Sequence, residues 1–315
     1  MNSVTLPLSA SGVSAESSGG LCQRLQCSLF GQADVWIQRD DLLHPLISGN
    51  KFRKLQFPLA QLPSGAHVIS MGGPWSNHLH ALGYALQQKG IRGTVLIRGG
   101  EWQQTAMQAD LQRWGIRIQY ADRETYRRLR EPDYWRQCVP DAGAQAVWLP
   151  EGGSDPAALH GVAQMVRELP FVPDTIVTAV GTGATLAGTL AGMAGRGRVI
   201  GVAAFQGADY LHQEIARLLQ AAGYPAYQNY QLLTDAHHGG FARMTPALIA
   251  DAQCFVRETG IPLEPVYTGK LVSAVAALVQ QGTIRAGECL LLLHTGGLQG
   301  LRGIRRDSGW PGALA

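Results

Sequence analysis

The 315-residue chain predicts an α/β protein with parallel twisted sheets and helices on both faces. Strand-like apolar runs alternate with amphipathic segments of helical length, and such alternation builds parallel sheets. Several of these runs lead into glycine turns: Gly72-Gly73, Gly99-Gly100, Gly152-Gly153, Gly296-Gly297 and the near variant Gly181-Thr182-Gly183. In open parallel sheets ligands bind at the carboxyl ends of strands, where such loops let backbone amides approach closely. A hydrophobic content of 46% with 39 glycines fits a globular enzyme rich in tight turns, long enough for one large or two modest domains.

Taken in order, residues 1–30 are expected to be a loose N-terminal extension, rich at first in serine, glycine and alanine. Val35-Trp36-Ile37 reads as a short strand leading to the stretch Ser48-Gly49-Asn50-Lys51-Phe52-Arg53-Lys54. Further strands are expected at 67–71, 94–97, 116–120, 146–149, 175–180, 199–204 and 290–293. Between them, helical periodicity marks 76–89, 102–114, 156–169, 184–194, 208–222, 245–259 and 269–281. The run from Arg123 to Arg130 reads as a solvated helix face.

Composition excludes several classes. A formal charge of +3 with 23 dispersed acidic residues gives no nucleic-acid face. No apolar run reaches the length of a membrane span, and the start of the chain lacks the basic and apolar regions of a secretory signal. Five cysteines without a CxxC pair suit a reduced, cytoplasmic protein. No metal site is expected: His78 and His80 are two apart on a helix and face different ways, and His237-His238 has no third ligand in view.

Of 26 basic residues only four are lysines, Lys51, Lys54, Lys89 and Lys270. Arginine serves wherever charge alone is needed, whereas a lysine amine can be deprotonated and attack an aldehyde. Gly49 leaves room beside the backbone and Asn50 is a good helix N-cap, so Lys51 is expected at the first turn of a helix, either solvated or beside a gap that takes a flat ring. Val180 to Gly188 closes a buried strand and opens a small-residue helix, a tight turn or a phosphate cradle. It lacks the Gly-Lys-Ser/Thr of a P-loop and the third-glycine spacing of a dinucleotide fingerprint. Ser76 or Asn77 is placed to cap a helix, and Tyr267 stands between a proline-stiffened turn and a helix start. A phenol there needs a cationic neighbour to enter acid/base work. Thr295 ends the last apolar strand on the same rim.

In order, Arg39-Asp40-Asp41-Leu42, Gly49-Asn50-Lys51, Ser76-Asn77-His78, Gly181 to Gly188, and Tyr267-Thr268-Gly269-Lys270 with His294-Thr295-Gly296-Gly297 resemble one family over about residues 35–305. It is the pyridoxal 5'-phosphate enzymes of the 1-aminocyclopropane-1-carboxylate (ACC) deaminase/D-cysteine desulfhydrase family, of fold type II. The resemblance implies two domains: 1–52 with 161–315 binding the cofactor, and 53–160 closing over the active site. It implies that Lys51 carries pyridoxal phosphate through its amine, with Asn50 beside it and Asn77 at the ring hydroxyl. It further implies that Gly181, Thr182, Gly183, Ala184 and Thr185 hold the phosphate and Thr295 faces the ring nitrogen. Lys51 would shuttle protons, Ser76 contact the substrate and Tyr267 act as acid/base, usually in a homodimer.

ACC deaminases of the family typically carry Tyr-Glu-Gly-Lys where Tyr267-Thr268-Gly269-Lys270 stands here. The missing glutamate favours β-elimination from a small amino acid such as D-cysteine, giving pyruvate, sulfide and ammonia. Deamination of ACC to 2-oxobutyrate is the alternative, and a non-catalytic cofactor-binding protein a second one. Trp75, where glutamine is frequent, and the segment 238–243 depart from the family pattern and bear on the substrate.

Overall fold

The structure, a computed structural model, describes residues 20–313. Its first half runs β1 (Cys22–Arg24), β2 (Asp34–Gln38), α1 (Asn50–Ala60), β3 (His67–Gly72), α2 (Asn77–Gln88), β4 (Arg92–Arg98), α3 (Ala106–Arg113), β5 (Arg117–Ala121), α4 (Arg123–Arg128), α5 (Trp135–Cys138) and β6 (Ala146–Leu149). The second half runs α6 (Ala158–Arg167), β7 (Thr175–Val180), α7 (Ala184–Met193), β8 (Arg198–Ala203), α8 (Leu211–Ala221), β9 (Tyr230–Leu233), α9 (Pro246–Thr259), α10 (Thr268–Gln280) and β10 (Cys289–Leu293).

The strands form a six-stranded sheet, β1-β2-β10-β7-β8-β9, and a four-stranded sheet, β5-β4-β3-β6. Every pairing is parallel except β1 against β2. Successive side chains of a strand point to opposite faces, and here both faces are apolar. In β7, Ile176 and Val180 join one core with α6, α7 and α8, while Val177 and Ala179 join another with α9 and α10. The smaller sheet divides in the same way, with Val68 facing α2 and α3 and Ile69 and Met71 facing Tyr126 and Trp135. Burial on both faces is what forces helices onto both sides.

Two strands escape the sequence pattern because they are short and lack the unbroken apolar run that marks β6, itself only four residues. β9 is four residues at the sheet edge, and β1 is three. The expected loose extension is corrected accordingly: β1 pairs with β2, and Phe30 is buried edge-on against Phe255. Residues 1–19 of that extension lie outside the described residues. No helix among the described residues is long and apolar enough to cross a membrane.

Helix α7 is buried along its whole length, from Ala184 to Met193. Its glycines let α6 approach closely: a Cβ at Gly188 would lie 2.6 Å from Cβ of Val162, and one at Gly192 2.5 Å from Cβ of Val166. This crossing fixes the height of the loop that starts α7. Gly188→Val is therefore expected to cost about 1–3 kcal/mol by overpacking, read as a lower denaturant midpoint with an unchanged slope.

Candidate active site

Lys51 lies in the first turn of α1, immediately after Gly49 and Asn50. Gly49 has φ +64°, and a Cβ there would sit 1.9 Å from the carbonyl oxygen of Thr295, so only glycine fits. The same carbonyl accepts from the Asn50 backbone N–H at 3.3 Å, tying the helix start to the loop after β10. That loop is held from behind by a buried network. Arg39 grips Asp41 with two bonds of 2.8 and 2.7 Å, Asp41 lies 3.2 Å from His294 Nδ1, and His294 Nε2 lies 2.7 Å from the Pro262 carbonyl.

The N-cap of α1 is Gly49, not Asn50 as the sequence suggested. The Asn50 amide is engaged elsewhere: Nδ2 donates to Thr185 Oγ1 at 2.8 Å, and Oδ1 accepts from Lys51 Nζ at 2.8 Å. Asn50 thus links the amine to the glycine loop. Burial lowers the Lys51 pKa to about 8, against an opposing pull from the Glu264 carboxylate. Near neutral pH such a group holds far more free amine than an ordinary lysine does.

The loop Gly181-Thr182-Gly183 joins β7 to α7. Gly183 is the N-cap at φ +87° and offers no side-chain cap, so the first-turn N–H groups of α7 are open to an anion. Across from it stands a second turn, Gly152-Gly153-Ser154. The Ser154 hydroxyl bonds that of Thr182, and Lys54 Nζ donates to the Gly152 carbonyl at 2.5 Å. Lys54 is 2% exposed, and burial, reinforced by the charge of Lys51, lowers its pKa well below the usual lysine range. His78 is buried beside the same turn with Nε2 2.9 Å from Ser70 Oγ, and its Nδ1 makes no hydrogen bond within the protein. Burial and the two lysines keep it neutral.

Ser76 is the N-cap of α2, its oxygen accepting from the Leu79 N–H at 3.2 Å. Asn77 Oδ1 accepts from Gln299 at 2.7 Å, and its Nδ2 lies 2.6 Å from where a Cβ on Gly297 would be. Trp75, 36% exposed, lays its indole over Gly303 on the rim. The histidines doubted as metal ligands have local partners: His80 lies between the Leu46 carbonyl and Asp110, and His238 Nδ1 is 2.9 Å from Thr245 Oγ1.

Tyr267 precedes α10 and covers the glycine loop, since a Cβ at Gly181 would lie 3.3 Å from its ring. Instead of the cationic neighbour sought from the sequence, burial and the charges of Glu264 and Glu151 push the phenol up, so it stays protonated at neutral pH. Glu264 is 2% exposed and accepts from the backbone N–H groups of Val266, Tyr267 and Thr268. Burial raises its pKa despite those bonds. The Thr268 hydroxyl is engaged with Glu264 as well: it accepts from the Glu264 backbone N–H at 2.9 Å and lies 3.3 Å from both the Glu264 carbonyl and its carboxylate, the acceptors for its proton. One turn on, Lys270 Nζ donates to the carbonyls of Ala204 and Gly240 at 2.8 and 2.7 Å, and burial lowers its pKa to about 8. It thereby pins the loop carrying Phe241, whose half-exposed ring meets Tyr267 edge-on at 6.2 Å.

Lys51, Asn50, the Gly181–Thr185 loop, Tyr267 and Thr295 are therefore gathered by direct contacts, with Asn77 joined through Gly297 and Ser76 next to it. Lys54, Ser154 and Glu264 were not singled out from the sequence, and His78 was considered there only as a metal ligand and set aside. Lys54 had a signal, being one of four lysines and three residues from Lys51 on one helix face. The residues fit pyridoxal phosphate: a buried amine of lowered pKa at Lys51, an uncapped helix start with the Lys54 amine opposite for a phosphate, and an orphan polar atom at His78 beside them.

A family model described as "Pyridoxal-phosphate dependent enzyme" matches residues 22–296. A Pyrococcus furiosus protein named "Putative 1-aminocyclopropane-1-carboxylate deaminase" is 28% identical, over 85% of this chain and 86% of its own. An Arabidopsis thaliana protein named bifunctional D-cysteine desulfhydrase/ACC deaminase is 26% identical, over 85% of this chain and 73% of its own. A solved structure described as an ACC deaminase homologue superposes with a TM-score of 0.77 at 27% identity, covering 90% of this chain and 91% of that one.

If the Lys51 amine attacks only when deprotonated, covalent uptake of pyridoxal phosphate by the apoprotein should quicken with pH and level off above about 8. Stopped-flow absorbance measures it; a rate still rising steeply at pH 9.5 contradicts the assignment, and Lys51→Ala should show no covalent uptake.

Proposed function

From the premise that this chain belongs to the pyridoxal-phosphate-dependent enzymes, in the ACC deaminase/D-cysteine desulfhydrase family, we propose that it deaminates ACC to 2-oxobutyrate and ammonia. The observation that carries the substrate is the resemblance to the Pyrococcus relative and to the ACC deaminase homologue over most of both chains. This reverses the order in which Thr268 ranks the two substrates. The non-catalytic alternative drops out, because the relatives are enzymes.

Bound pyridoxal phosphate supplies an aldehyde for the substrate amine and a conjugated ring that accepts the electron pair released at the substrate carbon. Lys51 would hold it, with Asn50 and Asn77 at the ring, Gly181 to Thr185 at the phosphate and Thr295 at the ring nitrogen. A phosphate on this loop would bring an anion beside the Lys54 amine and so offset the burial that lowers its pKa. The remaining chemistry falls to the chain. Lys51, with a substantial free-amine fraction at neutral pH, takes and returns a proton at the reacting carbon. Tyr267, held protonated, is a proton donor and not a base. Ser76 uses its oxygen as a helix cap and so keeps its hydroxyl proton for a substrate carboxylate.

ACC has no hydrogen on Cα, so these groups must act on a methylene carbon of the ring. Glu264, buried under Thr268 and close enough to act electrostatically on Lys51, brings a carboxylate into a site whose motif lacks one. D-Cysteine elimination is the second reading. Thr268 favours it, as does the bifunctional plant relative. We place the closing unit at 53–160, around the smaller sheet, and the cofactor unit at 1–52 with 161–315; a homodimer is also part of the proposal, checked by light scattering.

The test is identification of the oxo acid after incubating the holoenzyme separately with ACC and with D-cysteine. 2-Oxobutyrate with equimolar ammonia from ACC is the expected result. Pyruvate and sulfide from D-cysteine, with ACC untouched, would overturn it in favour of the second reading. In the same assay Tyr267→Phe should lower kcat by about 100-fold or more, the scale of a lost general acid, while the bound-cofactor spectrum is unchanged.

A further inference from the structure

Away from this site, two cysteines and a carboxylate meet between the N-terminal segment and α9. The sulfurs of Cys27 and Cys254 and a carboxylate oxygen of Glu258 all lie within 4.8 Å of one another. Cys254 and Glu258 are four residues apart and so share a face of the helix. Cys27 arrives from the other end of the chain, at the start of the short turn Ser28–Phe30. The frame is stiff: Phe30 and Phe255, adjacent to the cluster in sequence, are buried against each other with centroids 6.2 Å apart.

We propose that Cys27, Cys254 and Glu258 bind a thiophilic divalent ion of the zinc class, with the Ser28 hydroxyl or a water in the fourth place. Two thiolates and a carboxylate are a donor set for such an ion, and three protein ligands leave a fourth tetrahedral position. The spacing is close to what is required. With Zn–S near 2.3 Å and Zn–O near 2.0 Å, a tetrahedral ion holds sulfur and oxygen about 3.5 Å apart. Cys254 Sγ now lies 3.2 Å from Glu258 Oε1 as a thiol donor. The ion takes the place of that proton, with an opening of a few tenths of an ångström.

Ser28 Oγ is already in position, 2.8 Å from Glu258 Oε1 and 3.5 Å from Cys254 Sγ, and the Ser28 N–H donates to Oε2 at 2.7 Å. These bonds, the Ser28 N–H foremost, hold the Glu258 pKa down to about 2, so the carboxylate is charged. The neighbouring cation is Arg257, 3.6 Å from Oε1 on an exposed side chain, free to swing out. Burial, with Glu258 and Cys254 adding to it, pushes the Cys27 thiol up to about 11, so binding must expel protons. The balance is one divalent ion in and two thiol protons out, giving two S–metal bonds and one O–metal bond. The ion would fasten residues 227 positions apart, clamping the N-terminal segment to α9.

The test uses the full-length holoenzyme, reduced and freed of metal, titrated with zinc against a competing chromophoric chelator and separately with cobalt(II). One equivalent bound, about two protons released, a thiolate-to-cobalt absorption band and a raised thermal midpoint are expected. Cys254→Ser and Cys27→Ser should each weaken zinc binding by about 100-fold or more and abolish the band, and Glu258→Gln by about 10-fold. Cys138→Ser should do neither. Absence of the band, or equal weakening by Cys138→Ser, overturns the proposal. So does a Cys27–Cys254 disulfide forming under mild oxidation as fast with zinc as without. Glu258→Gln, at an exposed position, keeps the comparison available should a cysteine variant misfold.

Discussion

The contact between Gly49 and the Thr295 carbonyl is the constraint on which the rest of the site depends. It presses the start of α1 against the loop after β10 with no room for a Cβ. The first-turn lysine thereby faces the carboxyl ends of the six-stranded sheet. Two kinds of force hold the partners together. The Arg39–Asp41–His294 network locks the loop from behind, and removing one member of such a buried set strands the others without compensation. The α6–α7 crossing, made close by glycines, sets the level of the phosphate-loop candidate from the other side.

Electrostatics then follow from burial more than from pairing. Two lysines three residues apart are both desolvated, and each carries less charge than it would in water. Glu264 lies close enough to moderate this at Lys51, and the same carboxylate works against ionisation of Tyr267. One buried acid thus opposes the loss of charge at the amine and adds to the burial that keeps the phenol protonated. Loss of the carboxylate would lower both pKa values at once, leaving the amine less charged and the phenol easier to ionise.

Much of this was legible in the chain. Apolar runs bounded by glycine placed eight of ten strands, because burial on both faces leaves a dense signal in β3, β7 and β10. Lys51 and the Gly181 loop stood out because their residue types are unusual for their surroundings. Short edge strands β1 and β9 did not, since polar residues interrupt them and so few positions show no period. Asn50 was misjudged as a cap because its amide serves Lys51 and Thr185, a partner 135 residues away. Glu264 was not singled out, because the three backbone N–H groups that hold its carboxylate are invisible in sequence. The Cys27–Cys254 meeting escaped for the same reason as all distant pairings: cysteine spacing reports only neighbours.

Lys270 has a wider meaning. Its ammonium sits where two main-chain carbonyls, from the end of β8 and from the Phe241 loop, converge. Convergent carbonyl oxygens attract a cation, and a dissolved ion held there would come and go with the medium. Here the cation is covalently part of the chain. The loop over Tyr267 therefore owes its anchorage to a donor that cannot be diluted or exchanged away, and whose charge answers to pH, since burial lowers its pKa to about 8.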